Sequence, residues 1–374
     1  MLVEQKCLNL YMNLMLLIRT GISKTYNRIL GLIDYNRVKR NRTIISRSDL
    51  SQLEINKLLY LTQFGIKYET YINEYLDCIL NLDQQSDDDF SDGSPILICV
   101  EKDDLMRVKL LIDHYSSLGV RRFAFVDDGS KEDTLLFFKG LQNCEVFKAN
   151  KAYTTVRRQV WINKVINYYG YNRWYIIVDS DELLSFGQET ISEFISFLDK
   201  KGLSSAKAIL LDMFSPHCLY DDSVKEYNDI TRIYDKFSNN YRLEIGNNDI
   251  RIRGGARELF FDFSHNKTRK SPVVSKYPVI KVGFEDILID SHYYVSANNK
   301  LPSYPDCILR HYKFLPQDKE KYFLRVNSGV FKNNSAEYKV YLNQKFDRES
   351  YSKVVSGLHS YVDYTSCSVI DILK

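Results

Sequence analysis

Long apolar runs, paired cysteines and glycine-rich loops are all missing from this 374-residue chain. The apolar stretch at 8–18 is only eleven residues long and holds Asn9 and Asn13, whereas a bilayer span takes about 20. No small-residue cleavage site follows it, so neither a membrane span nor a signal peptide is expected there. The seven cysteines are scattered without a C-x-x-C pair. That argues against a disulfide framework or a thiolate metal site and suits a reducing, cytoplasmic setting. There is no G-x-G-x-x-G and no G-x4-G-K, which disfavours ordinary dinucleotide oxidoreductases and P-loop NTPases. Gly (16) and Pro (7) are scarce while Tyr (28) and Phe (20) are plentiful, so an ordered chain is expected.

The net charge of +3 conceals an asymmetry. Residues 1–48 carry nine Lys/Arg against Glu4 and Asp34, a net of +7, so the remainder is acidic. Such a segment suits peripheral contact with an acidic phospholipid surface. It would serve equally as a helix packed on the main domain or on a second copy in a homo-oligomer. No interleaving of aromatic and basic residues accompanies it, so no nucleic-acid partner is expected.

Helical spacing of Ile55, Leu58, Leu59, Tyr71, Tyr75, Leu76 and Ile79 predicts a helical region through 82. Residues 83–94, DQQSDDDFSDGS, read as a linker. After it, short buried-strand runs at 96–100, 123–126, 145–147, 174–178 and 208–211 alternate with helical stripes. That alternation predicts an α/β fold with a mainly parallel sheet flanked by helices. The expected order is a basic helical region (1–82), the linker (83–94), the α/β domain (95–315) and a helical C-terminal extension (316–374).

The most informative stretch is WYIIVDSDELL, 174–184. Its five apolar residues suit a strand buried on both faces, ending in Asp179, Asp181 and Glu182. Ligands of open α/β sheets bind at the strands' C-terminal ends. Asp179 and Asp181, two apart, point to one side of an extended segment and could hold Mg²⁺ or Mn²⁺. A solvated acidic turn is the alternative. At 127–130, Asp127-Asp128-Gly129-Ser130 is a good turn sequence before a helix, at the same end of the sheet.

Taken together, ILICVEKDDL, FVDDGS, the helix carrying Arg157, Gln159 and Asn163, VDSDELL and the downstream IRGGARELFF (252–261) resemble the GT-A glycosyltransferases. The similarity is to the family-two group, in its bacterial capsule and lipopolysaccharide branch. KYPVIK, SHYY and ILRHYKFL look like later blocks of that branch, so the resemblance covers about 95–315. It implies a Rossmann-like GT-A fold and inverting transfer of a sugar from a nucleoside-diphosphate donor, UDP-linked by analogy. The acceptor would be a glycan or lipid-linked glycan hydroxyl. Donor contacts map to Val100, Glu101, Lys102, Asp127, Asp128, Arg157, Gln159 and Asp179. Metal contacts map to Asp179 and Asp181, with His292 and His311 as further ligand candidates. The catalytic base would be Glu258, after Gly254-Gly255, or the Glu285-Asp286 pair, whose spacing from Gly-Gly is longer than usual. Other readings are a sugar-nucleotide nucleotidyltransferase, though VEKDDL lacks its Gly-rich basic loop, and a non-catalytic polysaccharide-assembly protein.

Overall fold

A computed structural model describes residues 68–85, 94–245 and 250–361, apart from 262, 264–271, 284–285, 291, 296–301, 303–304 and 330–331. The basic segment 1–48, with its expected membrane contact, and most of the linker lie outside the described residues. The chain runs α1 (Tyr68–Asp77), β1 (Leu80–Gln84), β2 (Ile96–Glu101), α2 (Leu105–Ser117), β3 (Arg122–Asp127) and α3 (Glu132–Lys139). Then come β4 (Cys144–Ala149), α4 (Thr155–Tyr169), β5 (Arg173–Ile177), β6 (Glu182–Ser185), α5 (Ile191–Lys200), β7 (Ser205–Asp212) and α6 (Asp229–Ile233). They are followed by β8 (Lys236–Phe237), β9 (Tyr241–Ile245), β10 (Ile250–Gly254), α7 (Ala256–Phe260), β11 (Ser275–Val282), β12 (Ile287–Asp290) and β13 (Tyr293–Val295). The last elements are β14 (Cys307–His311), α8 (Asp318–Ser328), α9 (Lys332–Asn343), α10 (Arg348–Val355) and β15 (His359–Ser360).

Nine strands form one sheet in the order β1-β4-β3-β2-β5-β11-β7-β14-β6. The pairings set β2, β3, β4, β5, β7 and β14 in one direction and β1, β11 and β6 in the other. The sheet is therefore mainly parallel and helix-flanked, a Rossmann-like α/β architecture. Side chains alternate along the central strands. Leu97, Cys99, Phe123 and Phe125 face a core shared with Val108, Leu111 and Tyr115 of α2. Ile96, Ile98, Ala124 and Val126 face a second core with Trp161, Ile162 and Val165 of α4. Both faces are covered, which is why these strands read as unbroken apolar runs. No helix among the described residues is long and apolar enough to cross a membrane.

Two expected boundaries move. Residues 80–84 form an edge strand antiparallel to β4, so the sheet begins before the expected linker start at 83. LNLDQ is polar and only partly buried, as suits an edge, and gives no strand signal in the sequence. At the other end, Tyr322, Tyr341 and Tyr351 are buried in the same core as α2. The helices after 315 thus complete the domain and do not merely extend it.

Candidate active site

The strand directions collect functional groups at one rim of the sheet. Glu101, Asp127, Asp212 and His311 are the last residues of β2, β3, β7 and β14, and Asp179 follows β5 by two. Glu182 opens β6 and Lys276 lies near the start of β11, antiparallel strands whose N-terminal ends meet that rim. Adjacent strands stand about 4.8 Å apart, so the groups form a row across the sheet.

Asp179 accepts from Arg158 at 2.6 Å and from Lys276 at 3.0 Å. Lys276 also donates to Glu182 at 2.5 Å. Burial raises the pKa of Asp179, but the two cations outweigh it and hold the carboxyl well below its ordinary range. The Asp179 side chain is 41% exposed, so it remains reachable. Glu182 is pushed up by burial, opposed by Lys276 and reinforced by the neighbouring aspartates.

Asp181 stands 3.3 Å from His311 Nε2. The other ring nitrogen, Nδ1, lies 2.7 Å from Asp212. Burial disfavours the imidazolium, yet the carboxylates of Asp181 and Asp212 lift His311 to about 9. Asp212 is held in turn by Arg257 at 2.7 Å, and Arg257 donates onward to Glu337 at 2.8 Å and Tyr341 at 3.2 Å. Ion pairs thus run from the DSDE segment, through the Gly-Gly-Ala-Arg-Glu segment, into α9. Asp181, Glu182 and His311 each offer a ligand atom within 4.8 Å of one another.

At the β2–β3 end of the row, fully buried Asp127 accepts from the amides of Ser130 (2.9 Å) and Gly129 (3.3 Å). Gly129 takes φ +81°, the left-handed conformation this turn requires. Ser130 Oγ donates to Glu101 at 3.0 Å. Burial raises Glu101 to about 8, with Ser130 opposing and Asp127 reinforcing the shift. Burial likewise raises Asp128 to about 6, against the pull of Lys102. Lys102 lies beside the same turn: a methyl on Gly129 would come 4.0 Å from its Nζ. Val100 is half-buried, its backbone in register with Val126. One oxygen of Glu101, one of Asp128 and both amide atoms of Gln159 are buried without a hydrogen-bond partner among the described residues. Buried polar groups are normally satisfied, so these unpartnered groups suit a polar ligand that would complete them.

Several expected residues fall elsewhere. Arg157 makes a two-pronged ion pair with Glu74 of α1, at 2.7 and 3.0 Å, and acts on the row only electrostatically, through Asp128. Its neighbour Arg158 reaches Asp179 instead. Helical periodicity contains that signal, because Arg158 lies three, four and seven residues before the buried Trp161, Ile162 and Val165, at the middle of the buried stripe, whereas Arg157 lies at its edge. Asp286 follows the C-terminal end of β11, which pairs with the N-terminal end of β5 through Val282 and Arg173. It accepts from the amide of Gly283 at 2.7 Å on the opposite rim, so it is not placed to act as base. Glu285 lies outside the described residues. His292 faces the carbonyl oxygen of Ser275 at 2.8 Å and is absent from the three-residue ligand group. Glu258 makes a two-pronged pair with Arg242, at 2.5 and 2.7 Å, one residue from the rim-contacting Arg257. Asp212 and Glu337 carry no motif, and Lys276 opens the KYPVIK block with no role assigned to it, so all three roles escape sequence reasoning.

No protein-family model matches the chain. No curated protein matches it either. Among solved structures it is similar to the crystal structure of S. aureus TarS 1–349, at 13% identity over 74% of this chain and 75% of that one. The TM-score of 0.28 is too low for that likeness to carry weight.

Proposed function

We propose that the chain is a metal-dependent, inverting glycosyltransferase. It moves a sugar from a UDP-linked or similar donor to a glycan or lipid-linked hydroxyl in bacterial surface-polysaccharide synthesis. One observation carries this reading. Asp179, Asp181 and His311 stand on the same rim as the unsatisfied polar groups around Glu101 and Asp128. A nucleoside diphosphate laid along the row would meet polar partners at one end and charged groups at the other.

The donor set suits Mn²⁺ or Mg²⁺. Asp181 and His311 offer an oxygen and a nitrogen 3.3 Å apart, near the separation of neighbouring ligands in octahedral coordination at about 2.1 Å. Asp181 and His311, its Nε2 proton displaced by the ion, would hold the metal, with Asp179 beside them; Glu182 is tied to Lys276. A bound divalent ion would neutralise charge on a leaving diphosphate. Arg158 and Lys276 supply fixed positive charge at the same place. Lys313 and Arg325 act electrostatically on Asp181 from nearby. Glu258 is the proposed proton acceptor. Its pairing with Arg242 is partly exposed and therefore weak enough to yield to substrate.

Thermal stabilisation and donor hydrolysis across UDP-, GDP- and TDP-sugars, with Mn²⁺ and with chelator, test the assignment. Stabilisation and turnover by one donor in Mn²⁺ are expected. If no donor stabilises the protein under either condition, the reading fails. Glu258→Gln should lower transfer by about 10² to 10⁴, the range for a lost general base, without altering donor affinity. Unchanged transfer would exclude Glu258.

A further inference from the structure

Tyr341, whose hydroxyl meets Arg257 and Glu337, also lines a cavity of about 1040 Å³. The cavity lies between the 216–222 loop after β7, Pro316 and Lys319 at the start of α8, and the connection from α9 to α10. None of the rim residues described above contributes to it.

Its lining combines two chemistries. Tyr220, Phe346 and Tyr351 provide aromatic surface. The Tyr220 hydroxyl is buried and has no hydrogen-bond partner among the described residues. His217, Lys319, Lys345 and Arg348 provide basic groups. Lys319, Lys345 and Arg348 have no ion-pair partner among the described residues, although Asp222 and Asp347 are close at hand. Asp347 is already engaged, accepting from the Ser350 amide at 2.7 Å as the N-cap of α10.

Pyranose rings present apolar C–H faces that pack on aromatic side chains, while their hydroxyls need polar partners such as the Tyr220 hydroxyl. Carboxylate or phosphate substituents would pair with the unpaired cations. A volume at the top of the range typical of small-ligand sites, about 300–1,000 Å³, has room for more than one ring. We propose that this cavity binds an anionic oligosaccharide. That such a glycan is the acceptor rests on the glycosyl-transfer reading; binding itself does not.

Cys218 lines the cavity and is exposed, whereas Cys78, Cys99, Cys144 and Cys307 are buried. Its alkylation by a maleimide, followed in the full chain by peptide mass spectrometry, therefore reports occupancy without any donor. Hyaluronan tetrasaccharide is the anionic probe, chitotetraose the neutral one and inorganic phosphate the bare anion. Hyaluronan tetrasaccharide at four times its Kd should slow labelling about fivefold, from simple occupancy. Chitotetraose and phosphate at the same concentration should protect far less. Lys345→Glu with Arg348→Glu should abolish the protection at an unchanged Tm, and Tyr220→Phe should weaken it. Absence of protection, or equal protection by chitotetraose, phosphate or UDP, overturns the proposal. Hyaluronan protection in a protein that no nucleotide-sugar stabilises would uphold the cavity and remove only its acceptor role.

Discussion

Each rim carboxylate is held by a cation, a turn amide or a turn hydroxyl, and the way each is held predicts what its loss does. Asp212 never meets a substrate in the proposed reaction, but it fixes His311 through Nδ1 and leaves Nε2 toward Asp181. Outer partners of this kind set ligand orientation, and losing one typically costs about 10- to 100-fold in metal affinity. Asp212→Asn should weaken Mn²⁺ binding by that factor in a direct titration, and unaltered affinity would rule out the positioning role. Arg158 and Arg157 should separate cleanly. Arg158→Gln should lower donor affinity about tenfold, the scale of one hydrogen bond to a charged group. Arg157→Gln should leave affinity alone and lower Tm, because its partner is Glu74. Glu101 gives a pH signature. Its native pKa of about 8 lies above its ordinary 4.5, so the native state binds more protons than the unfolded one between those values. Stability from the protonated carboxyl is complete below about pH 4.5 and is lost as pH rises through 8. Glu101→Gln should therefore have the higher Tm at pH 9, with the difference vanishing near pH 4.5.

At the scale of elements, α1 and β1 are tied to the α/β domain by several contacts. Tyr71 and Cys78 are buried in the α4-side core. Glu74 grips Arg157, and the Asn150 side chain donates to the carbonyl of Asp77 and accepts from the amide of Ile79. A chain beginning at Ser94 would lose the edge strand and expose part of that core. It should be less stable and aggregation-prone, with nucleotide binding impaired; a soluble product with the parental Tm would contradict this. The parallel strands were legible because they are buried on both faces, and so were the carboxylates at their ends, Asp127 and Asp179. His311 could be read only as a candidate within ILRHYKFL, since nothing local reveals that β14 pairs between β7 and β6. The antiparallel strands β1, β6 and β11 leave weaker traces. β1 is polar, β6 has four residues, and β11 is bent by a register shift between Lys276 and Val279. The role of Lys276, first residue of the KYPVIK block, was invisible for that reason. A single lysine in SKYPVIKV acquires meaning only when β11 is threaded between β5 and β7.

Across the whole molecule, the C-terminal helices are locked to the N-terminal half by Arg107, which is 2% exposed. Its guanidinium donates to Asp104 at 3.2 Å, to Asp318 at 3.0 Å through one nitrogen and again through another, and to the Tyr312 carbonyl at 2.9 Å. The same Asp104 accepts from Ser180, inside the DSDE segment, at 2.7 Å, and from Lys321 of α8 at 3.3 Å. One buried network therefore joins α2, the DSDE loop, the end of β14 and α8. Removing one partner of a buried pair leaves the other charge uncompensated, at a cost of about 3–5 kcal/mol. Asp104 and the Tyr312 carbonyl remain in Asp318→Ala, so its loss of stability should sit near the lower end, about 3 kcal/mol. Asp318→Asn keeps an acceptor for Arg107 and should lose less. Because Asp104 braces Ser180, both variants should also weaken Mn²⁺ binding. Chemical denaturation and metal titration of the two variants check the point. A full loss of stability with wild-type metal affinity would mean that Arg107 anchors the C-terminal helices without bracing the site.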